Sequence, residues 1–229
     1  MFTLDESVAN AYPGMKMGLL VMRGVAPAAS NEQGLQEADG AIAGLQQKFG
    51  GMDRRELKAI HPIHIYVAYC KKFGYTYPVL SQLESVLGGK RALPSKSGLL
   101  QAMFLAELSS MLLTAGHDLA QLRLPLCLKV ATGAEKYVSI SGKEVTAVRD
   151  DVVLCGQDGP ISSILRGPDE KSRITPAATD ALFSVYAPPG IDTEYIQAHL
   201  GQLERWIAQL APSASTELLT VFSKEDYSG

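Results

Sequence analysis

The 229-residue chain has only three cysteines, Cys70, Cys127 and Cys155, far apart and odd in number. They form no CxxC pair and no Cys/His cluster, so a disulfide framework and a structural metal site are both disfavoured. No cofactor motif stands out, and there is no P-loop, RNP or KH signature. Positive charge is not in surplus: the formal net charge is -3. A protein held on nucleic acid mainly by bulk electrostatics is thereby argued against, while a local basic face is not. Long apolar runs are also missing. The longest, Leu99 to Leu113, is interrupted by Gln101, Glu107, Ser109 and Ser110 and is too short and too polar to span a bilayer. The first residues, "MFTLDESVANAYPG", lack a basic start followed by an apolar run. The expectation is a reduced, cytoplasmic protein without membrane contact.

What is present is ordinary globular material, 46% hydrophobic and 20% charged, enough for one sizeable core in a single domain over residues 1–229. After a lead-in, "MKMGLLVMRGV" reads as a strand. A helix capped by Ser30 or Asn31 then runs to about Lys48, and "GGMD" breaks it. "HPIHIYVAYCKKFG" has helical spacing at Ile63, Val67 and Cys70 with Gly74 as its stop, and "TYPVLSQLESVLGG" is a second short helix. "SGLLQAMFLAELSSMLLTAG" is the strongest helix, apolar on most faces and therefore buried, with Gly116 as its left-handed cap. Beyond Gly116 the texture turns to short β-rich runs. "TEYIQAHLGQLERWIAQL" returns to helix over 192–211, and "TELLTVF" offers a last strand. The class is α+β: N-terminal helices around a central, antiparallel-leaning sheet with one long buried helix.

Candidate chemistry clusters in four places. On the long helix, Glu107, Ser110 and Thr114 fall within about 60° at 100° per residue, a polar stripe able to line a pocket. The alternative for Glu107 is a structural acid satisfied by a backbone amide or an arginine. His117 follows the helix and either faces a site as acid–base or sits in a turn, with Asp118 capping the next turn. Residues 165–175, "LRGPDEKSRIT", carry Arg166, Asp169, Arg173 and Thr175: either a fork for a carboxylate or phosphate, or a solvated loop of mixed charge. Asp169 would fix one arginine or receive an amino group. Lastly, Lys71, Lys72, Lys90, Arg91 and Lys96 are interleaved with Phe73, Tyr75 and Tyr77, against one acid, Glu84. That pattern suits phosphates with a stacked base, or else a basic edge over core aromatics. "GAEKYVSISGKEV" reads as a hairpin turning at Gly142, with Glu135 pairing a nearby cation.

The order of features from Gly98 to Ile191 resembles the B3/B4 domain, known from the phenylalanyl-tRNA synthetase β subunit and from free-standing proteins. Glu135, Gly142, Asp151, Gly159, Pro160, Gly167, Thr179 and Pro188 hold similar places. The family-like core spans about residues 75–191. The resemblance implies an α+β module that recognises the 3′ end of an aminoacyl-tRNA and hydrolyses the wrongly charged ester, acting here in trans as a deacylase. Without the chemistry, the same pocket would bind an amino acid or similar small ligand, or the chain would keep only the fold as an interaction protein. Under the resemblance, His117 and Glu107 are the catalytic candidates. Arg166, Asp169, Arg173, Thr175, Ser163 and Thr114 border the substrate, and Lys71, Lys72, Lys90 and Arg91 meet nucleic acid. The family's glycine turn is here "SSILRG", so Ser163 and Arg166 replace glycines, and an acid on the following strand is Phe183. Arg166 then either grips a different ligand or fills part of the pocket.

Overall fold

The computed structural model describes residues 2–25, 32–89 and 97–224. In chain order the elements are β1 (Phe2–Leu4), α1 (Glu6–Ala11), β2 (Lys16–Arg23), α2 (Glu32–Phe49), α3 (Arg54–Ala59), α4 (Ile63–Lys72), α5 (Pro78–Leu87) and α6 (Gly98–Ser110). There follow β3 (Thr114–Asp118), a single 3-10 turn (Leu119–Gln121), β4 (Leu126–Val130), β5 (Lys136–Val138), β6 (Glu144–Thr146), β7 (Val152–Gly156), β8 (Gly159–Ser163), β9 (Gly167–Pro168), β10 (Asp180–Ala187), α7 (Thr193–Leu210) and β11 (Ser215–Phe222). The class is α+β, as the pattern of runs implies. The sheet, however, is divided: β1-β4-β7-β8-β9 form one, β11-β2-β10-β3 a second, and β5-β6 a separate hairpin. Antiparallel pairing dominates, and β1, in what reads from sequence as a lead-in, pairs parallel with β4. The helix cap expected at Ser30 or Asn31 lies outside the described residues.

Strand β2 is central in its sheet, and six successive residues, Met17 to Met22, are buried. Such a strand reads as a continuous apolar run because both of its faces are covered. One face takes α7. At Gly18 a Cβ would stand 2.6 Å from Ile196 Cγ2 and 3.2 Å from Leu200 Cδ1, so the missing side chain lets the helix settle on the sheet. The opposite face meets the five-stranded sheet, where the Tyr186 hydroxyl and Ser162 Oγ are hydrogen-bonded at 2.5 Å. A single apolar cluster, from Phe2 through β2, α4–α6, β7 and β10 to Leu210, fills the space between these layers.

The boundary of α6 differs from expectation and decides the site's geometry. The helix stops at Ser110, and Met111 adopts the left-handed conformation at φ 59 while its N–H bonds to Glu107 O. Residues 114–118, expected as the helix end and a turn, form edge strand β3 paired with β10. The Tyr77 hydroxyl donates to Met111 O at 2.7 Å, and the Leu113 N–H donates to the Tyr66 hydroxyl at 3.2 Å, holding the chain in its new direction. Tyr66 and Tyr77 stack with centroids 4.6 Å apart. Elsewhere local signals hold: Gly74 and Gly142 take positive φ at a helix stop and a hairpin turn, where a side chain would be strained. Asp53 and Glu56 form a capping box on α3, a helix the sequence reading passed over. Among the described residues no helix is long and apolar enough to cross a membrane, no group of three or more His, Cys, Asp or Glu is placed to hold a metal ion, and the three cysteines are free.

Candidate functional site

The charged stretch 165–175 is not a free hairpin tip. Its backbone is tied down at nearly every second residue. Leu165 N–H donates to Asp151 Oδ2 at 3.1 Å, and Arg166 N–H to Ser163 Oγ at 3.1 Å. Gly167 and Pro168 make the short strand β9 against β8, and Gly167 O accepts from the Tyr137 hydroxyl at 2.8 Å. Asp169 N–H bonds to Ile161 O, and Asp118 N–H to Ser172 O. An isolated bridge joins His117 to Arg173. The result is a rigid shelf from which Arg166, Lys171 and Arg173 project as exposed side chains.

Under this shelf lies a cavity of about 730 Å³ between α5, α6, β3 and the turn before β9. Its walls are mostly apolar, with Leu100, Met103, Phe104, Ile164 and Ile174. Four candidates from the sequence, Glu107, Thr114, Arg166 and Arg173, all line it. Glu107 and Thr114 meet because the chain turns back after α6, not because they share a helical face. Thr114 N–H donates to Glu107 Oε1 at 3.0 Å. A carboxylate thus sits buried in the wall, while the two guanidinium groups stand at the solvent side. Arg173 pairs with Glu170 at 2.7 Å, an exposed contact that contributes little to holding it in place. It also lines an adjoining cleft of about 660 Å³, with Asp118, Gln121, Glu170 and Thr175.

Arg166 connects two signals that are separate in sequence. Its guanidinium lies 5.3 Å from the ring centroid of Tyr75, inside the basic and aromatic run, in a cation–π contact. Lys71 and Lys72 are exposed at the end of α4, and Lys72 Nζ lies 5.7 Å from the Tyr12 ring centroid. Tyr77, by contrast, is buried in the core. Lys90 and Arg91, with Lys96, lie outside the described residues.

The remaining candidates brace the shelf from below. Ser163 is buried and holds Arg166 N–H. Asp169 is buried and accepts from Ser172 N–H and from the Ser172 hydroxyl, so it fixes Ser172 and not an arginine as expected; burial raises its pKa. Thr175 Oγ1 accepts from Ala177 N–H at 3.3 Å, shaping the chain beyond the shelf. His117, expected in a turn, is in mid-strand and fully buried. Ser172 donates to Asp169 and therefore accepts from His117 Nδ1 at 2.7 Å. The proton is then on Nδ1, and Nε2 has no hydrogen-bond partner among the described residues. Burial lowers the His117 pKa to about 4. Asp118 caps the 3-10 turn through Ala120 N–H, and Glu135 pairs with Lys129 at 3.3 Å, both as expected.

Two residues near the cavity escaped the sequence reading. Gln82 of α5 lines it, and its Oε1 is buried with no partner among the described residues. His199 of α7 is fully buried between Ser110 Oγ, 2.8 Å from Nδ1, and Thr114 Oγ1, 3.0 Å from Nε2. A signal for His199 existed: it falls on the apolar stripe of Ile196, Leu200 and Leu203, where a polar residue needs a buried partner.

Neither a protein-family model nor a curated protein sequence matches the chain. The crystal structure of an N-terminal fragment of the phenylalanyl-tRNA synthetase β subunit from Pyrococcus horikoshii is similar at a TM-score of 0.49 and 12% identity. The match covers 94% of this chain and 50% of that one, so the chain spans about half the length of the fragment. The likeness is a weak similarity of fold.

Proposed function

We propose that the chain recognises the aminoacylated 3′ end of a tRNA-like RNA, with the acyl group in the cavity under the shelf. One arrangement carries this reading: Arg166 lies on Tyr75 of the basic run and lines the same cavity as Glu107, Thr114 and Arg173. Phosphates would meet Arg166, Arg173, Lys71 and Lys72, while the mostly apolar interior takes an amino-acid side chain. A volume of about 730 Å³ suits a ligand larger than one small amino acid.

Ester hydrolysis in this reading depends on placing a water against the bound carbonyl and needs no strong side-chain base. His117 then acts as a brace for the shelf. The second reading, binding of a free amino acid or similar zwitterion without chemistry, is favoured by the placement of one carboxylate and two guanidinium groups around one apolar space.

The test is a deacylation screen of mischarged tRNAs with the wild type and Arg173→Ala, together with tRNA binding at low salt. Binding weakened by Arg173→Ala supports RNA recognition, and hydrolysis of any pair adds the enzymatic step. Absence of both hydrolysis and binding would sink the RNA reading. Stabilisation by millimolar free amino acids would then support the zwitterion reading, since a ligand that binds only the folded state raises its melting temperature.

A further inference from the structure

Among the described residues four large apolar side chains are exposed: Met52, Leu124, Val138 and Ile140. Met52 and Leu124 border neither of the two spaces at the shelf, but the other two do. Ile140, 56% exposed, lines the cavity of about 730 Å³. Val138, 43% exposed, lines the adjoining cleft of about 660 Å³. Arg173 borders both spaces.

The strand period of two puts Tyr137 and Ser139 inside and leaves Val138 and Ile140 together on the outer face. This strip is fastened to the shelf. Glu170 N–H donates to Val138 O at 2.8 Å, and Ile140 N–H donates to Pro168 O at 3.1 Å. The Tyr137 hydroxyl between them holds Gly167 O. Two apolar side chains are therefore kept in the open as a short, fixed ledge that leads from one space to the other. Single apolar residues scattered on a surface need no explanation, but a pair on one face at the mouths of two ligand-sized spaces does.

The two spaces differ in chemistry. The cavity is mostly apolar, whereas the cleft combines Val138 with Asp118, Gln121, Thr175 and the cation of Arg173. A ligand that suits the cleft has an apolar face for Val138, a polar edge for its neighbours and negative charge for the arginine. A nucleotide unites all three: the base has a flat π-face and a hydrogen-bonding edge, and the phosphate is an anion. A second amino-acid side chain lacks the phosphate, and a lipid tail lacks the polar edge.

We infer that Val138 and Ile140 form the ledge on which the terminal nucleobase of the ligand lies, with the nucleoside in the cleft and the acyl group in the cavity. The inference rests on the aminoacyl reading and deepens it, because it makes Val138 a positioning residue for the nucleoside half. The ledge meets the face of the base and not its edge, so by itself it tolerates any base.

The experiment is calorimetric titration with a pair of probes: 3′-leucylamino-3′-deoxyadenosine, which resists hydrolysis, and leucine N-methylamide, which lacks the nucleoside. The nucleoside is expected to tighten binding by about tenfold or more. Val138→Thr keeps the shape of the side chain and exchanges a methyl for a hydroxyl. It should shrink that gain by about threefold to fivefold, the worth of one buried methylene. Val138→Ile, which keeps the apolar surface, should preserve the gain. Both substitutions are at an exposed, β-branched position, and thermal melts of each variant check that the fold is kept. A gain undiminished in Val138→Thr, or lost equally in Val138→Ile, overturns the ledge and leaves the aminoacyl reading standing. No gain from the nucleoside, or binding of neither probe, overturns both.

Discussion

Acidification from about pH 7 to about pH 4.5 should cost the folded protein about 3 kcal/mol, through two histidines partly offset by an aspartate. Burial lowers both His117 and His199 from the ordinary 6.5 to about 4. In the unfolded chain each protonates near 6.5, so between those values the unfolded state binds more protons, and stability falls as pH falls. At about 1.4 kcal/mol per pKa unit, each histidine costs roughly 2–3 kcal/mol by pH 4.5. Asp151 works in the opposite direction. It is buried under the start of the shelf, and burial pushes it up to about 6 despite hydrogen bonds from Tyr69, Leu165 and Val152. The stability it gains on protonation is complete below its unfolded value and lost as pH rises through about 6, so acidification to 4.5 returns about 2 kcal/mol. Asp169, also raised by burial, has the same sign. Glu135, where hydrogen bonds outweigh burial and the pKa falls to about 2, keeps its contribution until the pH drops through the ordinary carboxylate range. Urea melts at fixed pH values between about 7 and 4.5 read the net loss directly. His199→Gln, which removes one titration, should cut it to under about 1 kcal/mol. A wild-type profile flat within about 0.5 kcal/mol across this range would refute the burial of both rings in neutral form.

Two further outcomes test the geometry around the cavity. Gly116→Ala places a methyl 2.8 Å from Ile174 Cδ1 and 3.0 Å from Met103 Sδ, and should destabilise by about 1–3 kcal/mol in thermal melts; an unchanged melting temperature would mean that this wall is looser than described. Tyr77→Phe removes the donor to Met111 O and should cost about 1–2 kcal/mol, whereas a neutral result would show that the end of α6 does not depend on that bond.

Much of the fold is legible because it follows local rules. The β2 run, the α7 stripe, the stop at Gly74 and the turn at Gly142 each announce themselves in a few residues. The break in α6 does not. From Gly98 to Gly116 the chain has no interior glycine or proline, and helical spacing continues through Met111. The helix ends there because Tyr66 and Tyr77, distant in sequence, supply hydrogen bonds to the exit path. Glu107 and Thr114 therefore meet without sharing a helical face, through the Thr114 N–H donating to the Glu107 carboxylate. Likewise the position of His117 in a strand depends on pairing with β10, which no local pattern encodes. The meeting of Arg166 and Tyr75 was legible only as two unconnected charged stretches. The three-residue β1 and its parallel partner carry too few residues to stand out from a loop.

The central place of β2 has a consequence for how the chain is made. Both of its neighbours, β10 and β11, come from the far end of the sequence: Met17 pairs with Tyr186 on one side and Phe222 on the other. During synthesis, β2 leaves the ribosome well before β10 and β11 and has no sheet partner until they follow. For that interval its six consecutive apolar residues are an adhesive edge exposed to the cell. Solubility on expression should therefore respond to chaperone cover and to the rate of elongation.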